Sequence, residues 1–203
     1  MDYRPIFLVI GILLCALAVS MILPAVVDGF AGNSDWQVFA ISSGVTLFIG
    51  GAMTLTSRVG NQRFSVRQAF VMTTFSWVAL TLFASIPFVF SELQLSFTDA
   101  FFEAMSGITT TGSTVINGLD MVPQGILLWR ALLQWLGGIG IIVMAIAVFP
   151  MLRVGGMQLF RMESSDPSEK ALPRAAEIAS AISLIYLGLT LVCAIAYWFA
   201  GMS

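Results

Sequence analysis

The sequence predicts an all-α integral membrane protein in which one short segment enters the membrane without crossing it. The chain is 58% hydrophobic and 10% charged, with a mean hydropathy of +0.94, a composition typical of membrane proteins. Five apolar stretches could cross a hydrocarbon core of about 30 Å. These stretches are residues 6–27, 36–56, 69–90, 126–149 and 178–200. Between the third and fourth, residues 97–108 are amphipathic and would form a helix of about 18 Å, too short to span.

The composition also excludes several classes of function. A net charge of −2 is too small to indicate nucleic acid as a partner. The chain has no histidine, and Cys15 and Cys193 both fall within predicted spans, so we expect neither a metal centre nor a disulfide framework. Without a nucleophile–base pair or facing acidic residues in the spans, an enzyme is not expected, and no cofactor is predicted.

The basic residues predict the orientation of the spans. They occur before the first span, between the second and third, and between the fourth and fifth. The charged residues of the other two connections are all acidic. The residues concerned are Arg4, Arg58, Arg63, Arg67, Arg153, Arg161, Lys170 and Arg174. By the positive-inside rule, the N-terminus lies in the cytoplasm and residues 91–125 lie on the outer side. The first span is longer than a signal-peptide core and lacks a cleavage site, so we expect it to be retained.

The short segment and the residues after it are predicted to form a pore loop. Ser96 and Asp99 fit a capping box at the start of the helix. An apolar stripe follows, made of Phe97, Ala100, Phe101, Ala104, Met105 and Ile108. Residues 109–113 (TTTGS) come next, where Gly112 can adopt backbone angles that turn successive carbonyls toward one axis. The alternative is an amphipathic helix lying flat on the membrane surface, followed by an ordinary loop.

Two charged residues near this loop allow two interpretations. Arg130 lies about one helical turn inside the fourth span, with Glu103 or Asp120 as plausible partners. Glu103 could add negative potential near an ion path. The preferred interpretation is structural: the arginine is paired or extends to the interface, and it fixes the short helix.

The glycines of the spans are expected to allow close helix packing. The run Gly137-Gly138-x-Gly140 could be mistaken for a nucleotide-binding loop, but no strand precedes it. Gly44, Gly50 and Gly51 are assigned the same packing role.

Two motifs resemble a known family. Residues 104–114 (AMSGITTTGST) resemble the first pore loop of the Trk/Ktr/HKT superfamily of potassium uptake proteins, most closely the bacterial TrkH type. Residues 129–140 (WRALLQWLGGIG) resemble the start of the helix that follows this loop. The resemblance runs through essentially the whole chain. It implies four non-identical helix–pore–helix repeats in one polypeptide, surrounding one potassium path in the bacterial inner membrane.

The resemblance also implies a division of the chain. Residues 1–60 would form an N-terminal hairpin, 61–155 the first helix–pore–helix repeat, 156–177 a cytoplasmic linker, and 178–203 the first helix of a second repeat. A weak match between residues 79–82 and 188–191 agrees with a repeat. Three filter segments would be missing, so the chain looks like an N-terminal portion of the translocating subunit, and we do not expect it to conduct alone.

The site residues follow from the same resemblance. Thr110, Thr111 and Gly112 would offer carbonyls to the ion, with potassium at Thr111 and Gly112 and with Ser113 at the outer mouth. Glycine at position 112 goes with potassium rather than sodium preference. The implied partners are a second subunit, giving a homodimer, and a cytosolic ring of nucleotide-binding regulators facing 151–177.

The mode of transport stays open. The energy coupling could be proton symport, sodium symport or channel-like flow. The alternative function is a secondary transporter whose re-entrant hairpin binds sodium or a small solute.

Overall fold

The computed structural model describes residues 3–57, 66–152 and 171–201, and all regular structure in these ranges is helical. The helices are α1 (Arg4–Ser20), α2 (Ile22–Ala31), α3 (Trp36–Thr56), α4 (Val66–Ala84), α5 (Ile86–Phe90), α6 (Phe97–Ile108), α7 (Gln124–Leu152) and α8 (Ala171–Phe199), with a 3₁₀ turn at Leu119–Met121. The chain divides into two compact units, Met1–Gly138 and Ile139–Ser203. The first unit holds the short helix α6 and the loop after it.

Five helical stretches in the described ranges are long and apolar enough to cross a membrane. They are Arg4–Ala31, Trp36–Thr56, Arg67–Phe90, Gln124–Ile142 and Ser180–Phe199. The first combines α1 with α2, and the third combines α4 with α5. The predicted class, an all-α membrane protein with five spans, is therefore confirmed.

Two of the predicted spans contain a one-residue irregularity, which the sequence analysis did not anticipate, although Met21 and Ser85 keep right-handed helical backbone angles. The helix is interrupted at Met21, between α1 and α2, and at Ser85, between α4 and α5. A proline lies shortly after each break, Pro24 in the first case and Pro87 in the second. Because proline lacks an N–H and its ring crowds the carbonyl four residues earlier, it bends or interrupts a helix.

Close backbone contact holds α1 against α3. A Cβ added at Gly11 would lie 2.8 Å from the carbonyl oxygen of Gly50, and one at Gly50 would lie 2.9 Å from the carbonyl oxygen of Gly11. Small residues facing each other in this way let membrane helices approach closely. The packing role expected of Gly50 is confirmed. It is wrong for Gly44 and Gly51, where no described atom lies within 4 Å of an added Cβ.

Two buried aspartates tie the turn of the α2–α3 hairpin to the rest of the first unit. Asp28 Oδ1 accepts hydrogen bonds from the backbone N–H of Gly125 (2.8 Å) and from Asn33 Nδ2 (3.3 Å). Asp35 Oδ1 accepts from the backbone N–H of Glu92 (3.0 Å). These bonds connect the hairpin to the start of α7 and to the segment between α5 and α6. The hairpin thereby fixes both ends of the region that carries the loop.

The second oxygen of each of these carboxylates, Oδ2, has no hydrogen-bond partner among the described residues. Burial removes water from the carboxylate and raises the pKa of Asp35 above its ordinary value of 3.8. The N–H of Glu92 acts in the opposite direction, while the negative charges of Glu92 and Asp28 raise that pKa further. The folded state therefore binds the Asp35 proton more tightly than the unfolded state does.

The ends of α7 and α8 differ from the predicted spans. Helix α8 begins at Ala171, so the last residues of the predicted linker 156–177 are helical. The part of this helix that is long and apolar enough to cross a membrane is Ser180–Phe199. Residues 153–170, with Arg153, Arg161 and Lys170, and residues 58–65, with Arg58 and Arg63, lie outside the described ranges.

Replacing Asp35 by asparagine is expected to remove one pH-dependent component of stability. Because the folded pKa is raised, the contribution of Asp35 is fully present below pH 3.8 and is lost as the pH rises through the folded value. The asparagine side chain keeps an oxygen for the N–H of Glu92 and cannot ionise. The thermal midpoint in detergent, measured from about pH 4 to pH 7, should fall less with rising pH for Asp35→Asn than for the wild type. Parallel curves would contradict this prediction.

Candidate functional site

Helix α6 begins and ends at the predicted residues, Phe97 and Ile108. Ser96 caps its first turn: the hydroxyl accepts from the backbone N–H of Asp99 (3.2 Å) and donates to Asp99 Oδ2 (2.7 Å). Of the predicted apolar stripe, Ala100, Ala104 and Ile108 are buried, Phe101 and Met105 are half-buried, and Phe97 is exposed. The stripe thus packs inward along all but the first residue of the helix.

The end of α6 turns sharply through a threonine in the left-handed region. The N–H of Thr110 donates to the carbonyl of Gly107 (2.9 Å), and that of Thr111 donates to the carbonyl of Ser106 (3.0 Å). This pair of bonds is the Schellman motif, in which glycine usually occupies the position held here by Thr110, with a φ of 59°. A β-branched residue at positive φ is strained by about 1–3 kcal/mol. Strain of this kind is concentrated at functional sites.

A second positive φ follows at Gly112, at 78°. No described atom lies within 4 Å of a Cβ added there, so the backbone angle, and not a lack of space, favours glycine. Within the described ranges, the carbonyls of Thr110, Thr111 and Gly112 accept no hydrogen bond. Ser113 differs, because its carbonyl accepts from Ser106 Oγ at 2.6 Å. The carbonyl of Thr109 likewise has no partner, so among the described residues the loop presents four consecutive carbonyls, from Thr109 to Gly112, without a hydrogen bond.

The buried carboxylate of Glu103 joins α6, α7 and the return limb of the loop, which is formed by Thr114 and Val115. Its Oε1 lies 2.5 Å from Arg130 Nε. Its Oε2 accepts from Thr114 Oγ1 and from the backbone N–H of Val115, both at 3.0 Å. Of the two partners predicted for Arg130, Glu103 is the one that pairs with it. The pairing agrees with the preferred structural interpretation, and Glu103 also holds the chain just after Ser113.

Helix α7 supports the end of α6 at very short range. A Cβ added at Gly137 would overlap the carbonyl oxygen of Ile108, and one at Gly107 would lie 3.0 Å from Leu133 Cβ. The packing role expected of Gly137 is confirmed. At Gly140 no described atom lies within 4 Å of an added Cβ, so that expectation is wrong there.

Trp129 locks the start of α7 to the end of α4. Its indole Nε1 donates to the carbonyl of Ala84 at 3.0 Å, and its ring is fully buried edge-on to Phe39, with centroids 6.2 Å apart. This contact restores a partner to backbone near the helix break at Ser85. From the sequence alone, Trp129 is expected to be an anchoring aromatic residue without a chemical role, and the structure shows that the ring is fully buried.

The oxygen atoms of the loop are ligands that suit a monovalent cation. Backbone carbonyls can replace the hydration shell of such an ion, and the C-terminal end of α6 contributes partial negative charge. The hydroxyls of Thr109 and Thr111 lie 2.9 Å apart. Among the described residues, no group of three or more His, Cys, Asp or Glu could hold a metal ion.

Comparison with known proteins identifies the family. The family model TrkH, described as a cation transport protein, matches residues 35–202. The chain belongs to the TrkH family. Its similarity to individual members extends through the N-terminal hairpin as well, because alignments to several of them cover 99–100% of the chain.

Three members of the TrkH family show how far the similarity reaches. The chain is 46% identical to the Trk system potassium uptake protein TrkI of Halomonas elongata, over 99% of the chain and 41% of that protein. It is 42% identical to TrkH of Escherichia coli K12, over 100% and 42%. The crystal structure of the potassium transporter TrkH from Vibrio parahaemolyticus superposes with a TM-score of 0.87 at 39% identity, covering 100% of this chain and 41% of that one. The chain thus spans about two fifths of the length of these relatives.

Replacing Gly137 by alanine should displace the end of α6. Replacing glycine by alanine normally stabilises a helix, because alanine has the higher helix propensity. Here the added methyl would overlap the Ile108 carbonyl, and such overpacking lowers stability by about 1–3 kcal/mol. The free energy of unfolding in mixed detergent micelles should therefore fall for Gly137→Ala. Gly140→Ala, made on the same helix in open space, is the control and should be neutral or slightly stabilising. Equal behaviour of the two variants would contradict the packing described here.

Proposed function

We propose that this chain contributes one segment of the selectivity filter of a Trk-type potassium uptake protein. Residues 109–113 would enter the membrane as a re-entrant loop at the end of α6. The carbonyls of Thr110, Thr111 and Gly112 would coordinate potassium, and Ser113 would lie at the outer mouth. Other segments of a complete transporter would supply carbonyls from the remaining sides, since one segment coordinates an ion from one side only.

One observation carries this proposal: the carbonyls of Thr110, Thr111 and Gly112, like that of Thr109 before them, have no hydrogen-bond partner among the described residues, and Thr110 and Gly112 have positive φ angles. Unpaired backbone carbonyls are costly in a membrane unless water or an ion meets them. The burial of α6 on several sides supports an interior position over a helix lying flat on the membrane surface. Ala100 and Ala104 are fully buried, and Glu103 is 1% exposed.

The wider arrangement follows from the family and from the charges. We propose a multi-pass protein of the bacterial inner membrane with a cytoplasmic N-terminus, acting as a homodimer with a cytosolic ring of nucleotide-binding regulators. Residues 151–177 would face that ring. Support comes from the basic residues on the predicted cytoplasmic side and from relatives named as potassium uptake proteins of the Trk system.

The filter assignment is tested by changing Gly112 to serine. The host is a chimera in which this chain replaces the matching part of TrkH from Vibrio parahaemolyticus, expressed in bacteria that lack potassium uptake. Serine at a φ of 78° is strained and alters the carbonyl directions. The rubidium-to-sodium uptake ratio should fall about tenfold, equivalent to about 1.4 kcal/mol of lost discrimination.

Gly118→Ser is the matched control. Gly118 has a φ of 69° and, like Gly112, no described atom within 4 Å of an added Cβ, but it lies outside the loop. It should leave the uptake ratio unchanged. An unchanged ratio in a well-expressed Gly112→Ser chimera, or an equal fall in both variants, would count against the filter assignment.

A further inference from the structure

Ser106 forms hydrogen bonds to the loop through two different groups. Its carbonyl accepts hydrogen bonds from the N–H groups of Thr111 (3.0 Å) and Gly112 (3.3 Å). Its hydroxyl donates to the carbonyl of Ser113 at 2.6 Å. One residue of α6 therefore contacts three consecutive residues of the loop. The sequence analysis gave Ser106 no role, because these partners come together only once the loop has folded back.

The surroundings of Ser106 make the hydroxyl bond a constraint on the loop. Ser106 is 5% exposed, so little water is available to replace a lost partner. Its neighbour Gly107 lies against Leu133 of α7, which fixes the end of α6. On the far side of the bond, Glu103 holds Thr114 and Val115. The Ser113 carbonyl is therefore fixed toward α6, while those of Thr110, Thr111 and Gly112 have no partner among the described residues.

We infer that Ser106 is a positioning residue that ends the run of available carbonyls at Gly112 by holding the next one, that of Ser113, away from the ion. Ser106 does not touch the ion itself. Its hydroxyl acts through Ser113, at the boundary between the coordinating carbonyls and the outer mouth. Loss of the hydroxyl would release the Ser113 carbonyl and leave Gly112 without a fixed neighbour on its C-terminal side. This inference rests on the proposed function.

The test compares Ser106→Ala with Ser106→Thr in the same chimera. Alanine removes the donor, and threonine keeps it. For Ser106→Ala, the KM for rubidium should rise and the rubidium-to-sodium uptake ratio should fall about three- to tenfold, the range given by one neutral hydrogen bond. Ser106→Thr should stay closer to the wild type in both quantities. A residue with only a structural role would change the amount of protein and the maximal rate, leaving the KM and the ratio unaltered.

Ser43→Ala is the matched control for loss of a buried hydroxyl bond. Ser43 is a buried serine whose hydroxyl donates to the carbonyl of Ala18 at 2.7 Å, between α3 and α1. Its replacement should leave the ratio unchanged. If Ser106→Ala does not accumulate in the membrane, Ser106→Cys replaces it in the test, since a thiol is similar in size and donates only weakly. The cysteine variant should then lower the ratio part of the way.

The outcomes separate this inference from the proposed function. If Gly112→Ser lowers the ratio but Ser106→Ala, or Ser106→Cys in its place, does not, the role of Ser106 is wrong and the filter assignment stands. An equal effect of Ser43→Ala would also overturn the role of Ser106. If Gly112→Ser has no effect, the filter assignment itself fails.

Discussion

The buried carboxylate of Glu103 is the interaction on which the loop depends. It connects the short helix α6, Arg130 of α7 and the return limb at Thr114 and Val115. A buried ion pair of this kind adds little net stability, but removing one partner leaves an uncompensated charge and costs about 3–5 kcal/mol. Glu103 therefore specifies a single arrangement of three chain segments. The loop between Ile108 and Thr114 is fixed at one end by the helix and at the other by this carboxylate.

Within that frame, the backbone is held in conformations that it would not adopt by itself. Thr110 and Gly112 both have positive φ, and the carbonyls of Thr110, Thr111 and Gly112 have no donor among the described residues. The bonds made by Ser106 and the contact of Gly137 with the end of α6 oppose relaxation of this turn. Such pre-organisation suits ion coordination, because a filter must keep its oxygens in place when the hydration shell is removed.

The sequence predicted the features that depend on local pattern. Helix α6 was correctly bounded because Ser96 is a strong N-cap and the stripe ending at Ile108 follows the helical period. The breaks at Met21 and Ser85 were missed because a proline hardly alters the hydropathy of a long apolar stretch. The positive φ of Thr110 runs against the preference of a β-branched residue, so only the tertiary contacts around it determine that angle. Likewise, nothing local pairs Ser106 with Ser113.

The most direct test of this account locates the ion. Crystals of the chimera grown with rubidium in place of potassium would give anomalous density at bound ions. The account predicts density in contact with the carbonyl oxygens of Thr110, Thr111 and Gly112, while the Ser113 carbonyl stays bonded to Ser106. Rubidium bound elsewhere in the transporter, with these three carbonyls facing bulk solvent or lipid, would contradict it.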